Sequence, residues 1–174
     1  MDLMDILLER RSVRNYTEEE ISEENLKKII QAGLTGFSAK NRRPWELIVV
    51  RDKETLKKMA AGRKCGTKML TKASAAIVVV ANVEEANVWI EDCSIVMTYM
   101  HLMADSLGVG SCWVQGRLRT APDGSSADDY MRNLLGYPSN YRLEATLALG
   151  MPESHPKAHT LEELPMEKVH WEKF

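Results

Sequence analysis

The 174-residue chain has only three cysteines, Cys65, Cys93 and Cys112. They are odd in number and widely spaced, and none forms a pair with the separation of a metal or thioredoxin-like motif. Free thiols in a reducing compartment are expected. The four histidines do not group with each other or with the cysteines, so the sequence offers no metal centre and no nucleophilic triad. No apolar stretch approaches the ~20 residues of a spanning helix. The N-terminal stretch is charged and amphipathic from Asp2 onward rather than a signal-like apolar run. A soluble, cytoplasmic protein with no membrane partner is expected. An excess of one charge is also missing: 23 Lys and Arg stand against 25 Asp and Glu, a formal net charge of -2. Such a chain has no general surface for nucleic acid.

The positive charge that is present is local. Ile6, Leu7 and Leu8 give the first helix an apolar face, and Arg10, Arg11, Ser12 and Arg14 follow at once. Arginine presents a planar fork of donors that suits a phosphate, and serine adds a small donor without crowding the anion. The competing reading is a solvated helix end, where the dipole favours cations. A second basic stretch, Gly62-Arg63-Lys64-Cys65-Gly66-Thr67-Lys68, looks superficially like a phosphate-binding P-loop. Its glycine spacing is one short and Thr precedes Lys, which excludes a nucleoside triphosphatase. A Gly-rich dinucleotide fingerprint is also lacking.

The periodicity gives the order of elements. Ser22-Glu23-Glu24-Asn25 caps a helix that runs to about Gly33. The loop from Thr35 to Trp45 is rich in amide and hydroxyl donors and precedes a strand over 46–50; it is either a ligand rim or an ordinary connection. A short helix over 54–61 leads to an apolar strand over 73–82, without alternation and so covered on both faces. The longest helix runs from about Asn87 or Glu91 to Leu107. It is apolar nearly all round, which implies burial in the centre of the fold or in a subunit interface. Its His101 reads as a satisfied core or interface histidine. Gly108 closes the helix, a strand over 109–114 follows, and Gln115-Gly116-Arg117 makes the turn at its end. A Pro/Gly/Ser loop over 121–127, a helix over 128–135 stopped at Gly136 and a strand over 143–149 complete the pattern. Residues 153–174 have few apolar residues and little periodicity, and so form a tail on the surface of the domain or of a partner subunit. Helices and strands alternate without a strict βαβ repeat, and the length suits one domain over 1–174, an α+β sandwich.

Taken together, Arg10-Arg11-Ser12-Val13-Arg14, the stretch from Ser38 to Trp45, that from Leu107 to Trp113, Leu134 to Pro138 and Leu147 to Pro152 resemble, in order, the nitroreductase family of FMN-dependent oxidoreductases. The resemblance implies a mixed β-sheet wrapped by helices in an α/β/α sandwich, and a homodimer with FMN at each end of its interface. It assigns Arg10 and Ser12 to the FMN phosphate, with Arg11 beside them and Arg14 near the ribityl chain and flavin ring. Ser38, Ala39 and Asn41 fall on the segment that reaches the flavin of the other subunit. Lys68 falls on a lysine at the pyrimidine edge of the flavin, with Lys72 as the alternative. The Gln115-Gly116 turn matches the place where a backbone N–H approaches flavin N5. Lys157 and His159 fall on a basic pair that completes the phosphate site. His159 is charged only when protonated, so weaker or pH-dependent phosphate binding is expected. Phe37 and Arg43 depart from the family pattern, which has proline and glutamine there. The implied activity passes a hydride from NADH or NADPH to N5 and then to an electron-poor small-molecule acceptor such as a nitroaromatic or quinone. No side chain need be catalytic, because the cofactor carries the chemistry. Three alternatives stand beside it: a specialised reductase of the same fold, such as a dehalogenase or an enzyme acting on a peptide or flavin-derived substrate; a flavin-binding or redox-sensing protein of the same fold with little turnover; and an unliganded interaction protein.

Overall fold

The computed structural model describes residues 2–174. Helix starts follow from local capping: the Ser22 hydroxyl accepts the Asn25 N–H at 3.1 Å, the Asp52 carboxylate accepts that of Thr55 at 2.8 Å, and the Ser126 hydroxyl accepts that of Asp129 at 3.0 Å. They open α2 (Glu23–Leu34), α3 (Lys53–Ala61) and α5 (Ala127–Leu135), which follow α1 (Leu3–Glu9). Each cap satisfies donors that the first turn leaves without partners. The long helix α4 spans Trp89–Ser106 and is followed by Gly108 at φ 70°, while α5 ends on Gly136 at φ 77°. Both glycines adopt the left-handed conformation that stops a helix at low steric cost.

Four strands, β1 (Trp45–Val50), β2 (Ala75–Asn82), β3 (Gly110–Gln115) and β4 (Tyr141–Gly150), form one sheet in the order β1-β2-β4-β3. Every residue of β2 is buried. Its Ile77 and Val79 face α2 and α4 with Ile29, Met97, Met100, Leu147 and Leu149, while Val78 and Val80 face α3 and α5 with Leu56, Met59 and Met131. A period of two therefore serves two cores, and the three layers form the expected α/β/α sandwich.

One expectation needs correction. The sheet is not mixed among the described residues: all three ladders are antiparallel, and the only parallel pairing is the isolated bridge Ser12–Ser111. The sequence of strand, helix and strand through β2, α4 and β3 would suit a parallel crossover. β4 inserts between β2 and β3 and pairs antiparallel with each, so these two run in the same direction without touching.

Beyond β4, the chain folds back along the N-terminal segment. Tyr16 bridges Pro152, Glu153 N–H donates to Asn15 O at 3.1 Å, and His159 N–H donates to Leu8 O at 2.9 Å. His155 adds a contact between its Nε2 and the Asp105 carboxylate at 2.9 Å. Residues 160–174 carry short 3-10 turns at Leu161–Glu163 and Met166–Lys168, and Trp171 is 82% exposed. No helix among the described residues is long and apolar enough to cross a membrane.

Candidate functional site

The basic segment is fixed to the edge of the sheet at β3. Ser12 bridges Ser111, and Val13 N–H donates to Ser111 O at 2.9 Å. Tyr16 is the clamp: its buried hydroxyl lies 2.9 Å from Val13 O and 3.2 Å from Ala148 O. Burial, followed by Cys112, holds it protonated far above the usual tyrosine range. An added Cβ at Gly150 would lie 2.4 Å from Tyr16 Cγ, so only glycine lets the ring seat there. The clamped segment carries Arg10, Arg11 and Arg14 along this edge as a basic rim, of which Arg14 lines the cleft below.

The tail brings further polar groups to that rim. Arg11 donates to the Lys157 carbonyl, and the His159 amide is tied to Leu8. Lys157 and His159, expected to join the basic cluster, therefore lie against it through their backbones. His159 Nδ1 is 3.9 Å from the Glu163 carboxylate.

Beneath Arg10, His101 projects from α4. Its Nε2 lies 3.4 Å from Arg10 Nη1, and its Nδ1 contacts the Ser111 hydroxyl. Burial, followed by the Arg10 charge, pushes its pKa down to about 4. The ring is neutral at pH 7 and accepts from the guanidinium, as the reading of a satisfied core histidine implied.

Below this rim opens a cleft of about 630 Å³ lined by Arg14, Asn15, Arg63, Gly66, Lys68, Met69, Thr71, Lys72, Cys112, Trp113 and Gln115. Lys68 and Lys72 flank a 3-10 turn at Lys68–Thr71. Arg63 reaches across to donate to Gln115 O at 3.1 Å. Burial pushes the Cys112 thiol up, against the nearby Arg14 charge, which makes it a poor nucleophile. The cations here share one property: among the described residues, Arg10, Arg11, Arg14, Arg63, Lys68 and Lys72 have no carboxylate within 4.0 Å. In a chain of net charge -2 this is a concentrated positive field suited to an anion. Asn15, Arg63 and Trp113 were not singled out from the sequence as site residues. Arg63 stands there in the rejected P-loop-like stretch and Trp113 at the end of a family-like one.

The floor at the end of β3 rests on a bulge. β2 pairs Val79 with Ala145 and Val80 with Leu143, which leaves Glu144 as the extra residue of β4. Its carbonyl accepts the Gly116 N–H at 3.0 Å and the Arg117 N–H at 2.9 Å. Its side chain is 4% exposed, faces Arg117 Nε at 3.4 Å and lies 3.4 Å from Gln115 Nε2. Burial pushes this carboxyl up, opposed by Gln115 and then Arg117. Gln115 in turn accepts the Trp113 indole N–H at 2.8 Å. Within the Gln115-Gly116 turn, where a backbone N–H is expected to approach a ligand, the Gly116 amide is committed to Glu144. Glycine is needed there for packing, since a Cβ would lie 2.4 Å from Leu143 Cδ2.

Ser38, Ala39 and Asn41 do not line this cleft. Ala39 N–H donates to the buried Asp92 carboxylate at 2.9 Å, at the start of α4. His101 is nine residues further along that helix, about 13 Å at 1.5 Å per residue. Lys40, Asn41 and Arg43 all hold positive φ, at 53°, 55° and 50°, a strained run for side-chain-bearing residues. Arg43, which departs from the family pattern, closes it by donating to Asn41 Oδ1 at 3.0 Å, while its N–H donates to the Ser38 hydroxyl at 2.8 Å. No cluster of His, Cys, Asp and Glu among the described residues could hold a metal.

The three layers define an α+β protein, with a basic segment and a cleft at the β3 edge of its sheet. The chain belongs to the nitroreductase family: the family model matches residues 7–66 and 62–151. A solved structure described as an FMN-dependent nitroreductase from Clostridium difficile is 42% identical and superposes with a TM-score of 0.95 over 98% of this chain and 99% of that one. An Archaeoglobus fulgidus protein, provisionally named an NADH dehydrogenase/NAD(P)H nitroreductase, is 33% identical over 99% of both chains. A Thermus thermophilus NADH dehydrogenase is 26% identical over 97% of this chain and 95% of its own.

Proposed function

We propose that this chain is an FMN-dependent oxidoreductase. It takes reducing equivalents from NADH or NADPH and passes them to a small electron-poor acceptor such as a nitroaromatic or quinone. The observation that carries the reading is a 630 Å³ cleft lined by Arg14, Arg63, Lys68 and Lys72, cations without a carboxylate within 4.0 Å among the described residues, beside the segment of Arg10 and Arg11 that the Ser12–Ser111 bridge fixes to the sheet edge. The residues fit the cofactor at its anionic end: Arg10, Arg11 and Ser12 would hold the phosphate, with Lys157 and His159 closing the rim, and Arg14, Lys68 and Lys72 would border the ribityl chain and ring. Bound there, FMN supplies the reversible two-electron chemistry that no side chain of this protein can supply. Lys68 and Lys72 raise the potential along one edge, which favours negative charge on the occupant. Trp113, Gln115 and Glu144 keep the floor rigid. The names of the Clostridium, Archaeoglobus and Thermus relatives point to the same cofactor and donor.

The working unit in this reading is a homodimer. The loop of Ser38, Ala39 and Asn41, remote from its own cleft, would complete the site of a second copy. Leu3, Leu7, Tyr99, Leu102 and Met103 line an apolar groove of about 660 Å³ between α1, α2 and α4, a surface that suits such a partner. The free cysteines suit a reducing cytoplasm. A flavin-binding protein with little turnover is the second reading, favoured by the committed Gly116 amide. Steady-state NAD(P)H oxidation by FMN-loaded protein separates the two. Acceptor-dependent turnover is expected, and a flavin that is reduced yet never re-oxidised by nitroaromatic or quinone would favour the second.

A further inference from the structure

Beyond the cleft lies a second, smaller pocket of about 330 Å³, lined by Arg63, Lys64, Cys65, Leu118, Arg119 and Thr120. Arg63 belongs to both. The walls are tied together: Lys64 N–H donates to Thr120 O at 3.4 Å, Arg119 N–H to Gly116 O at 3.2 Å, and Ala127 N–H to Arg119 O at 2.9 Å. Its three cations have no carboxylate within 4.0 Å among the described residues. The acid in the following loop, Asp123, is turned onto the N–H and hydroxyl of Ser125 at 2.9 and 2.6 Å. Glu144 faces Arg117. Leu118 is held at φ 57° and is 79% exposed, an apolar side chain raised beside the cations at a backbone cost.

These cations are not the ones that meet the flavin phosphate in the reading above. Ser12 joins β3 at Ser111, whereas Arg63 joins it at Gln115, four residues or about 13 Å along the strand. The pocket's cations suit a second anionic group, distinct from the flavin phosphate. We propose that this pocket binds the 2′-phosphate of the electron donor, so that the protein selects NADPH over NADH. The inference rests on the oxidoreductase reading and names its donor. In the Rossmann fold, which this chain lacks, a carboxylate meets the ribose 2′-hydroxyl of NADH and an arginine the 2′-phosphate of NADPH; the charge argument holds for any fold, since a 2′-phosphate is met by cationic donors and repelled by a carboxylate. This pocket has Arg63, Lys64 and Arg119 and no acid, with Leu118 positioned to carry the adenosine.

The test uses the FMN-loaded protein titrated by calorimetry with adenosine 2′,5′-bisphosphate and, separately, with adenosine 5′-monophosphate. The bisphosphate should bind at least about tenfold more tightly, as a phosphate met by two or more charged donors requires. Lys64→Ala and Arg119→Ala should each lower the ratio of kcat/KM for NADPH over NADH about tenfold, mainly through KM for NADPH. Arg119→Lys should keep part of that ratio. Unchanged flavin absorbance in each variant shows that the fold and cofactor site survive. Equal affinity for the two adenosine nucleotides, with the flavin reduced equally well by NADH and NADPH, would overturn the inference and leave the oxidoreductase reading intact. A flavin that neither nicotinamide reduces would overturn both.

Discussion

Lowering the pH should weaken this fold at one nameable residue. His101 is 7% exposed, with its Nε2 3.4 Å from Arg10 Nη1 and its Nδ1 against the Ser111 hydroxyl. Arginine can only donate, so Nε2 accepts and the ring is the neutral Nδ1–H tautomer. A proton there would meet a desolvated site and a like charge. Burial first and Arg10 second therefore push the pKa from 6.5 down to about 4, with Asp105 opposing them. The unfolded chain takes up this proton near its ordinary value, so between the two values the unfolded state binds more protons. The stabilisation is complete above about pH 6.5, is lost progressively between that value and about 4, and is gone below it. A displacement of this size corresponds to about 3 kcal/mol in full, of which about 2 kcal/mol is lost between pH 7 and pH 4.5. Carboxylates also titrate in this range, but they are common to wild type and to His101→Gln. Urea unfolding of both proteins at pH 7 and 4.5 therefore isolates the imidazole. The wild type should lose about 2 kcal/mol more than the variant on acidification. Equal losses would show that His101 is not held neutral by burial under Arg10.

Other outcomes follow from the same geometry. Arg10→Ala combined with Arg14→Ala should weaken FMN binding, each charged contact contributing on the order of 1.5–3 kcal/mol; unchanged occupancy in a fluorescence titration would refute the phosphate assignment. Gly150→Ala should destabilise by about 2 kcal/mol, because the new Cβ would meet the clamped Tyr16 ring at 2.4 Å. Gly33→Ala meets the flexible Met100 side chain at 2.7 Å and gains helix propensity, so it should cost less than about 1 kcal/mol. Equal shifts in thermal midpoint would contradict this contrast. Leu7→Glu, in the apolar groove, should convert the proposed dimer to monomer in sedimentation without loss of secondary structure, and an unchanged sedimentation coefficient would place the contact elsewhere.

Most of the elements were legible in the sequence because local signals fixed them. Ser22, Gly108 and Gly136 mark boundaries through chemistry that acts over a few residues, whereas the caps at Asp52 and Ser126 were not read from the sequence. The unbroken apolar run of β2 announced a strand covered on both faces. Sheet direction was not legible, because insertion of β4 between β2 and β3 is a long-range choice that leaves no trace in either strand. The site divides in the same way. Arg10, Arg11, Ser12 and Arg14 are contiguous and stood out together, and the tail residues Lys157 and His159 were placed beside them through the family resemblance. Arg63 and Trp113 reach the cleft only through tertiary packing. At the Gln115-Gly116 turn the structure adds two local reasons for glycine's place that the sequence did not show, the close Leu143 side chain and the Glu144 carbonyl that accepts the Gly116 N–H. The positive φ values of Lys40 and Arg43 had no signal, since neither residue type favours that conformation.

The most direct measurement is the visible spectrum of the purified protein loaded with FMN, recorded oxidised and then under anaerobic NADPH and NADH. The account predicts bound flavin bands that bleach on addition of nicotinamide and return with a nitroaromatic or quinone. Protein that leaves added FMN free in solution, or bands that neither nicotinamide bleaches, would contradict it.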